Sequence, residues 1–175
     1  MDRRKVLIVD GYNVIRNNAR YASLGPDYND DAWNKARETL INDAALLANR
    51  DYERCTVVFD GAGNVFSEGV PTKVAGIEVV FSPGGVSADS VIEQLAHDAR
   101  ESGFEVVVVS SDFTIQSTVF GGGVTCMSAA AFGSSSVLLE EEWHDAGERA
   151  RGKDKTTLGD RIDPGTRAKL EALLR

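Results

Sequence analysis

Short runs of β-branched and aliphatic residues constrain this chain more than anything else in it: VLIV at 6–9, TVVF at 56–59, IEVVF at 77–81 and VVVV at 106–109. Most are continuously apolar rather than alternating. A strand apolar on both sides must be covered on both faces, which is the condition of a parallel sheet between helices. The stretches between them can supply that cover. Residues 31–49 (DAWNKARETLINDAALLAN) and 88–102 (ADSVIEQLAHDARES) read as helices. In the second, Ala88, Val91, Ile92, Leu95, Ala96 and Ala99 follow the i, i+3, i+4, i+7 stripe of a buried helix face. Strands alternating with helices predict an α/β three-layer sandwich with a mainly parallel central sheet. A further strand is expected over 123–127, and a helix from Ser128 toward Leu139.

The same runs end in carboxylates: Asp10 after the first, Asp60 after the second, and Asp112 shortly after the fourth. In an open α/β sheet ligands bind beyond the carboxyl ends of the strands, so these acids can converge there. Asp89 and Glu93 stand i, i+4 at the start of the helix that follows FSPGGVS, which puts both on one helix face. Clustered acids repel unless a cation is bound, and oxygen-only ligands favour Mg²⁺ or Mn²⁺ over zinc. Each acid also has a plainer reading. Asp10 and Asp60 both precede Gly and could begin turns; Ser87 could cap the helix, with Asp89 complementing its dipole and Glu93 merely solvated. The joint pattern separates the two readings, because unrelated turns have no reason to put acids at the same end of successive strands.

Other chemistries are excluded by inspection. GAGNVF at 61–66 lacks the third glycine of a dinucleotide fingerprint, and no P-loop or nucleophile elbow occurs. Position 12 is Tyr, not the second Asp of an aspartyl phosphatase, and no Lys follows 106–112 as a receiver domain requires. Cys55 and Cys126 are too few for a disulfide scaffold and read as buried reduced thiols; with only His97 and His144, zinc is not expected. The N-terminus has no long apolar region and no segment approaches the length of a membrane span, so a cytoplasmic protein without a membrane partner is expected.

Charge first argues against nucleic acid. The chain carries 19 Lys and Arg against 27 Asp and Glu, a net −8, whereas general nucleic-acid binders carry a basic surface. The distribution qualifies this: residues 1–148 hold 11 basic and 23 acidic side chains, and residues 149–175 hold 8 and 4. Residues 1–140 are read as the folded domain and 141–175 as an appended charged linker followed by a short helix near Pro164.

DGYNVI at 10–15, following an apolar strand, resembles the signature of NYN domains, the PIN-like nucleases, and especially their bacterial YacP-like branch. VFDG at 58–61, the FSPGGVSAD segment of 81–89 leading to Ile92 and Glu93, and VSSD at 109–112 with Gln116 resemble that branch's later motifs in the same order, together covering residues 6 to about 132. The resemblance implies a metal-dependent endoribonuclease acting on mRNA, with Asp10, Asp89 and Asp112 as central acids and metal ligands and Mg²⁺ or Mn²⁺ as cofactor. Asn13 would hold a metal-bound water or a phosphate, or else simply fix a turn. Asp60 and Glu93 would be outer acids orienting water, and Ser111 a donor to a ligated carboxylate or phosphate. Against an acidic body, Arg16, Arg20 and Arg37 with the basic tail are the available rim for RNA, and Tyr12 or Tyr21 could stack a base; ordinary surface pairing and core packing are the alternatives. The resemblance also implies the translating ribosome as partner. Gly121–Gly123 could serve as a backbone contact loop, and TCM at 125–127 stands where the family often has a basic residue. Two other classes stay open: a non-catalytic RNA- or ribosome-binding module, and a phosphohydrolase of small molecules or nucleotides.

Overall fold

The computed structural model describes residues 4–24, 30–61, 68–119 and 124–153. Along the chain run β1 (Lys5–Asp10), α1 (Gly11–Asn17), α2 (Ala19–Ala22), α3 (Asp30–Asp51), β2 (Arg54–Phe59), β3 (Thr72–Val74), β4 (Ile77–Phe81), α4 (Ala88–Glu101), β5 (Glu105–Val109), α5 (Phe113–Val119), β6 (Val124–Met127) and α6 (Ala129–Lys153). The strands form one sheet in the order β3-β4-β2-β1-β5-β6. β1 pairs in parallel with β2 and β5, β2 with β4, and β5 with β6, while β3 runs antiparallel to β4.

Burial explains the continuous apolar runs. In β1 everything from Val6 to Asp10 is buried, and in β2 everything from Cys55 to Phe59. α4 contacts β1, β5 and β2. There Ala88, Ile92, Ala96 and Ala99 pack with Val6, Ile8, Val58, Val106 and Val108, the residues that the pleat turns to one side. Leu7, Val9, Val57 and Phe59 alternate to the other side, where α1 and α3 contact β1 and β2. Fully burying a side chain such as Ile92 contributes about 1.5–3 kcal/mol. The sheet is therefore covered on both faces, as the sequence pattern predicts.

The antiparallel edge is not foreshadowed in the sequence. β3 is only TKV and is exposed throughout, so it has no hydrophobic period to find. A two-residue turn, Ala75 (φ 50) and Gly76 (φ 85), joins it to β4. Two positive φ angles are what a tight hairpin needs, and Ala75 tolerates what Asn or Gly would adopt more readily.

Two compact units divide the chain, Met1–Val137 and Leu138–Arg175. The first holds the sheet. In the second, described residues 138–153 continue α6. The charged stretch read as a linker from residue 141 is thus helical as far as Lys153, consistent with its Glu, Ala, Arg and Lys content. Residues 154–175, including the helix expected near Pro164, and the Gly121–Gly123 loop lie outside the described residues. Cys55 is a free buried thiol pushed up to about 12 by that burial, and Cys126 is free and half-buried. Among the described residues no helix is long and apolar enough to cross a membrane.

Candidate nuclease centre

The chain order places the switch point of the sheet beside β1. It builds β1, β2 and β4 outward in one direction, then returns through α4 to β5 on the other side of β1. The crevice between the carboxyl ends of β1 and β5 is where such sheets bind ligands.

At the end of β1 the strand passes straight into α1, and Asp10 belongs to both. It closes the strand and is the helix N-cap (φ −76, ψ 96), accepting from the Asn13 N–H at 3.3 Å. The turn reading of Asp10 is thus realised, since the side chain caps α1. α1 escapes sequence reading because Gly, Tyr, Asn, Val and Ile are weak helix formers. Gly11 is required for packing: a Cβ there would lie 2.5 Å from Cδ1 of Phe59 and closer still to Cε1.

Beyond β5, the buried Ser110 donates to Asp10 Oδ2 at 3.3 Å and accepts from the Asp112 N–H at 3.1 Å, tying two of the acids together. Asp112 in turn accepts from the Thr114 N–H at 2.7 Å at the start of α5. Gln116 fixes the same corner by donating to the Ser110 carbonyl at 2.8 Å. On the opposite wall Ser87 caps α4, accepting from the Ser90 N–H, and Asp89 stands in its first turn. Asp60, at the end of β2, accepts from Ser82 at 3.4 Å, and Ser82 accepts from the Gly61 N–H at 2.9 Å.

These elements bring Asp10, Asp60, Asp89 and Asp112 to one cleft of about 480 Å³, lined also by Tyr12, Asn13, Arg16, Asn17 and Ala88. The acids sense one another. Burial is the main cause that pushes Asp10 up to about 6, with Asp89 and Asp112 adding to it against the lowering effect of Asn13 and Ser110. Asp89 is raised by burial, then by Asp112 and Asp60, although a helix N-terminus by itself favours a carboxylate.

Other expected residues have different places. Glu93, one turn along α4 from Asp89, is outside the cleft lining. Ser111 serves the fold: its hydroxyl accepts from the Ala129 N–H at 3.1 Å, while its own N–H donates to Asn13 Oδ1 at 2.8 Å. Asn13 thus lines the cleft and braces α1 against the segment after β5. Arg20 is not a rim residue, because it is paired with buried Asp43, Nε to Oδ2 at 2.9 Å. Tyr21 is no base platform: it is fully buried and donates to Asp43 at 2.7 Å. Sequence reasoning misses Ser110, Ser82 and Asn17. For Asn17 a signal exists, since it lies i+4 from Asn13 and donates to the Asn13 carbonyl at 2.8 Å; the two serines have none.

The donors at the cleft are carboxylate, carboxamide and hydroxyl oxygens, a set suited to hard divalent cations. Among the described residues no three His, Cys, Asp or Glu side chains are grouped closely enough to enclose a metal ion. A cation that retains most of its water and takes only one or two carboxylates, as Mg²⁺ commonly does, is compatible with this arrangement. A closed protein cage is not.

The family model of the YacP-like NYN domain matches residues 7–175. The chain belongs to that family. The match runs past the stretch of 6–132 that carries the motifs, to residue 175. Among relatives, the uncharacterized protein YacP of Bacillus subtilis (strain 168) is 32% identical over 126 residues, 71% of this chain and 70% of that protein. The crystal structure of Rae1 (YacP) from Bacillus subtilis superposes with a TM-score of 0.70 at 26% identity, over 99% of this chain and 91% of the other. A mutant of that protein, with one tryptophan replaced by leucine, gives 0.69 at 26% identity, over 96% of this chain and 99% of the other. The YacP-like NYN domain is a PIN-like nuclease fold, and in this member the acidic cleft sits at the switch point of that fold.

Proposed function

We propose that this YacP-like protein is a divalent-metal-dependent endoribonuclease that cuts mRNA in the cytoplasm. The observation that carries the reading is the convergence of Asp10, Asp60, Asp89 and Asp112 on one cleft at the carboxyl end of a nuclease-family sheet. Asp10, Asp89 and Asp112 would hold Mg²⁺ or Mn²⁺, in part through water. Such an ion supplies positive charge to polarise the phosphodiester and to ease deprotonation of water. Asp10, fixed by Ser110 and Asn13, is the rigid anchor of the set. Asp60, outside that trio, orients water from the β2 side. Arg16 binds a phosphate oxygen at the lip, and Asn13 braces α1, the helix that Asp10 caps. No histidine is needed as base, because several carboxylates face one small volume.

The net charge of −8 predicts weak, salt-sensitive affinity for naked RNA. A guided encounter on the translating ribosome, which presents mRNA, fits that charge better than free scanning. The test is cleavage of a labelled mRNA with and without ribosomes, in Mg²⁺, Mn²⁺ or EDTA. Cuts that need the metal and increase with ribosomes are expected. Cleavage that persists in EDTA would end the metal mechanism, and ribosome binding without any cleavage would make the protein a binding module.

A further inference from the structure

Beside the acidic cleft, and sharing Tyr12 and Arg16 with it, lies a second hollow of about 240 Å³ lined by Tyr12, Arg16, Trp33 and Arg37. Its chemistry is the reverse of the cleft's: two guanidinium groups and two aromatic rings, with no carboxylate in the lining among the described residues. Tyr12 is held from several directions. Its ring lies 5.1 Å from Phe59 and 5.5 Å from Trp33, with Arg16 5.8 Å above it, and its hydroxyl accepts from Arg37 Nη1 at 2.7 Å. Arg37 also donates to Asn34. Among the described residues the groups that position these two arginines are a phenol, a carboxamide and a ring, all neutral, so neither guanidinium is held by an ion pair in this hollow. A guanidinium in that state is suited to a phosphate. The Tyr12 and Trp33 rings meet at 90°, forming a corner in which a flat base can stack on one ring and meet the other edge-on.

We infer that this hollow is the subsite for the nucleotide next to the scissile phosphodiester of a single-stranded RNA, with Trp33 stacking the base and Arg16 and Arg37 binding a flanking phosphate. The inference rests on the cleft being a nuclease centre, but binding can be read without cleavage. A base must be unpaired to enter such a corner, so the subsite admits single strands and excludes duplex.

The experiment uses the full chain with Asp10→Asn to prevent cleavage and Trp143→Phe to leave Trp33 as the single tryptophan of the two in the sequence. A short oligoadenylate is titrated in EDTA while tryptophan fluorescence is followed. Saturable quenching is expected, and none with a blunt duplex RNA of the same length. Trp33→Leu should weaken binding, read by anisotropy of a labelled oligonucleotide, about 5- to 30-fold with little change in salt dependence. Arg16→Gln and Arg37→Gln should each lower the slope of log affinity against log salt by about 0.7. Trp33→Phe keeps a stacking ring and should stay within about threefold of the parent. Equal quenching by duplex, unquenched Trp33 at saturation, or affinity and slope unchanged in all the variants would overturn the assignment; a loss in Trp33→Phe as large as in Trp33→Leu would do so too. Quenching is read on the unaltered Trp33, so it decides the matter even where Trp33→Leu does not fold. Failure of the unmutated protein to cut RNA would sink the nuclease reading and leave these binding results intact.

Discussion

Replacing Asp10 by Asn should make the metal-free protein more stable while disabling it. Asp10 is 7% exposed, and its carboxyl is pushed from 3.8 up to about 6, mainly by burial. A folded-state pKa above the unfolded one means that ionisation opposes folding. Stability is then highest at low pH, falls as pH rises between about 4 and 6, and levels off above that window. At about 1.4 kcal/mol for each unit of pKa, the rise from 3.8 to about 6 costs the ionised folded state about 3 kcal/mol. Asn keeps an oxygen for the Asn13 N–H but removes the acceptor of the Ser110 hydroxyl, a loss of about 1 kcal/mol. The expected net gain is about 2 kcal/mol near pH 8, close to 1 M in urea midpoint for a typical slope of about 2 kcal/mol per molar. Urea unfolding of both proteins in EDTA, at about pH 8 and about pH 4, reads it directly. The gain should be present at the higher pH and absent at the lower. A variant that unfolds earlier than wild type at both pH values would show that Asp10 is an ordinary structural cap, not a carboxylate held against its own stability.

Three further outcomes follow from the same structure. Saturating Mg²⁺ should raise the urea midpoint of wild type and leave an Asp10→Asn, Asp89→Asn double variant unmoved, since a ligand stabilises only the state that binds it; equal stabilisation of both proteins would place the ion elsewhere. Gly11→Ala should destabilise by about 1–3 kcal/mol, because its methyl drives into Phe59, which is fully buried and stacked 5.3 Å from Phe81; an unchanged denaturation midpoint would refute the contact. Asp43→Ala should cost about 3 kcal/mol or more by removing the buried carboxylate that accepts from the Arg20 guanidinium and from the buried Tyr21 hydroxyl, which thermal or urea unfolding will show as a lower midpoint.

The sheet is legible because β1, β2 and β5 are buried on both faces and therefore nearly unbroken in hydrophobicity, and β4 is interrupted only by Glu78. Where burial is one-sided or missing, the signal fails. β3 is exposed along its length, and α1 is a helix of poor formers held by its Asp10 cap. α5 is short, and its first turn depends on an aspartate that reads equally well as a loop residue. In the site, Asp10, Asp60, Asp89 and Asp112 are legible as acids at strand ends and at one helix start, since a parallel sheet gathers those points by its geometry. Their supports are not. Ser110 and Ser82 act across separations of 100 and 22 residues, and a buried serine at a strand end looks like any other. Arg20 and Tyr21 mislead for the same reason: Asp43, more than twenty residues away, turns a candidate rim cation and stacking ring into one buried ion-paired cluster. Trp33 carries no visible motif and becomes a candidate only when α3 sets it against Tyr12.

The nuclease reading stands most directly on one comparison of single-turnover rates, made on the same ribosome-bound mRNA in Mg²⁺. Wild type, Asp10→Asn and Asp89→Asn are measured beside Asp98→Asn, which removes an exposed carboxylate from α4 outside the cleft lining. Losses of at least about 100-fold are expected for the two cleft variants, and a rate within about twofold of wild type for Asp98→Asn. Cleft variants that cut as fast as Asp98→Asn would contradict the assignment of these acids to catalysis.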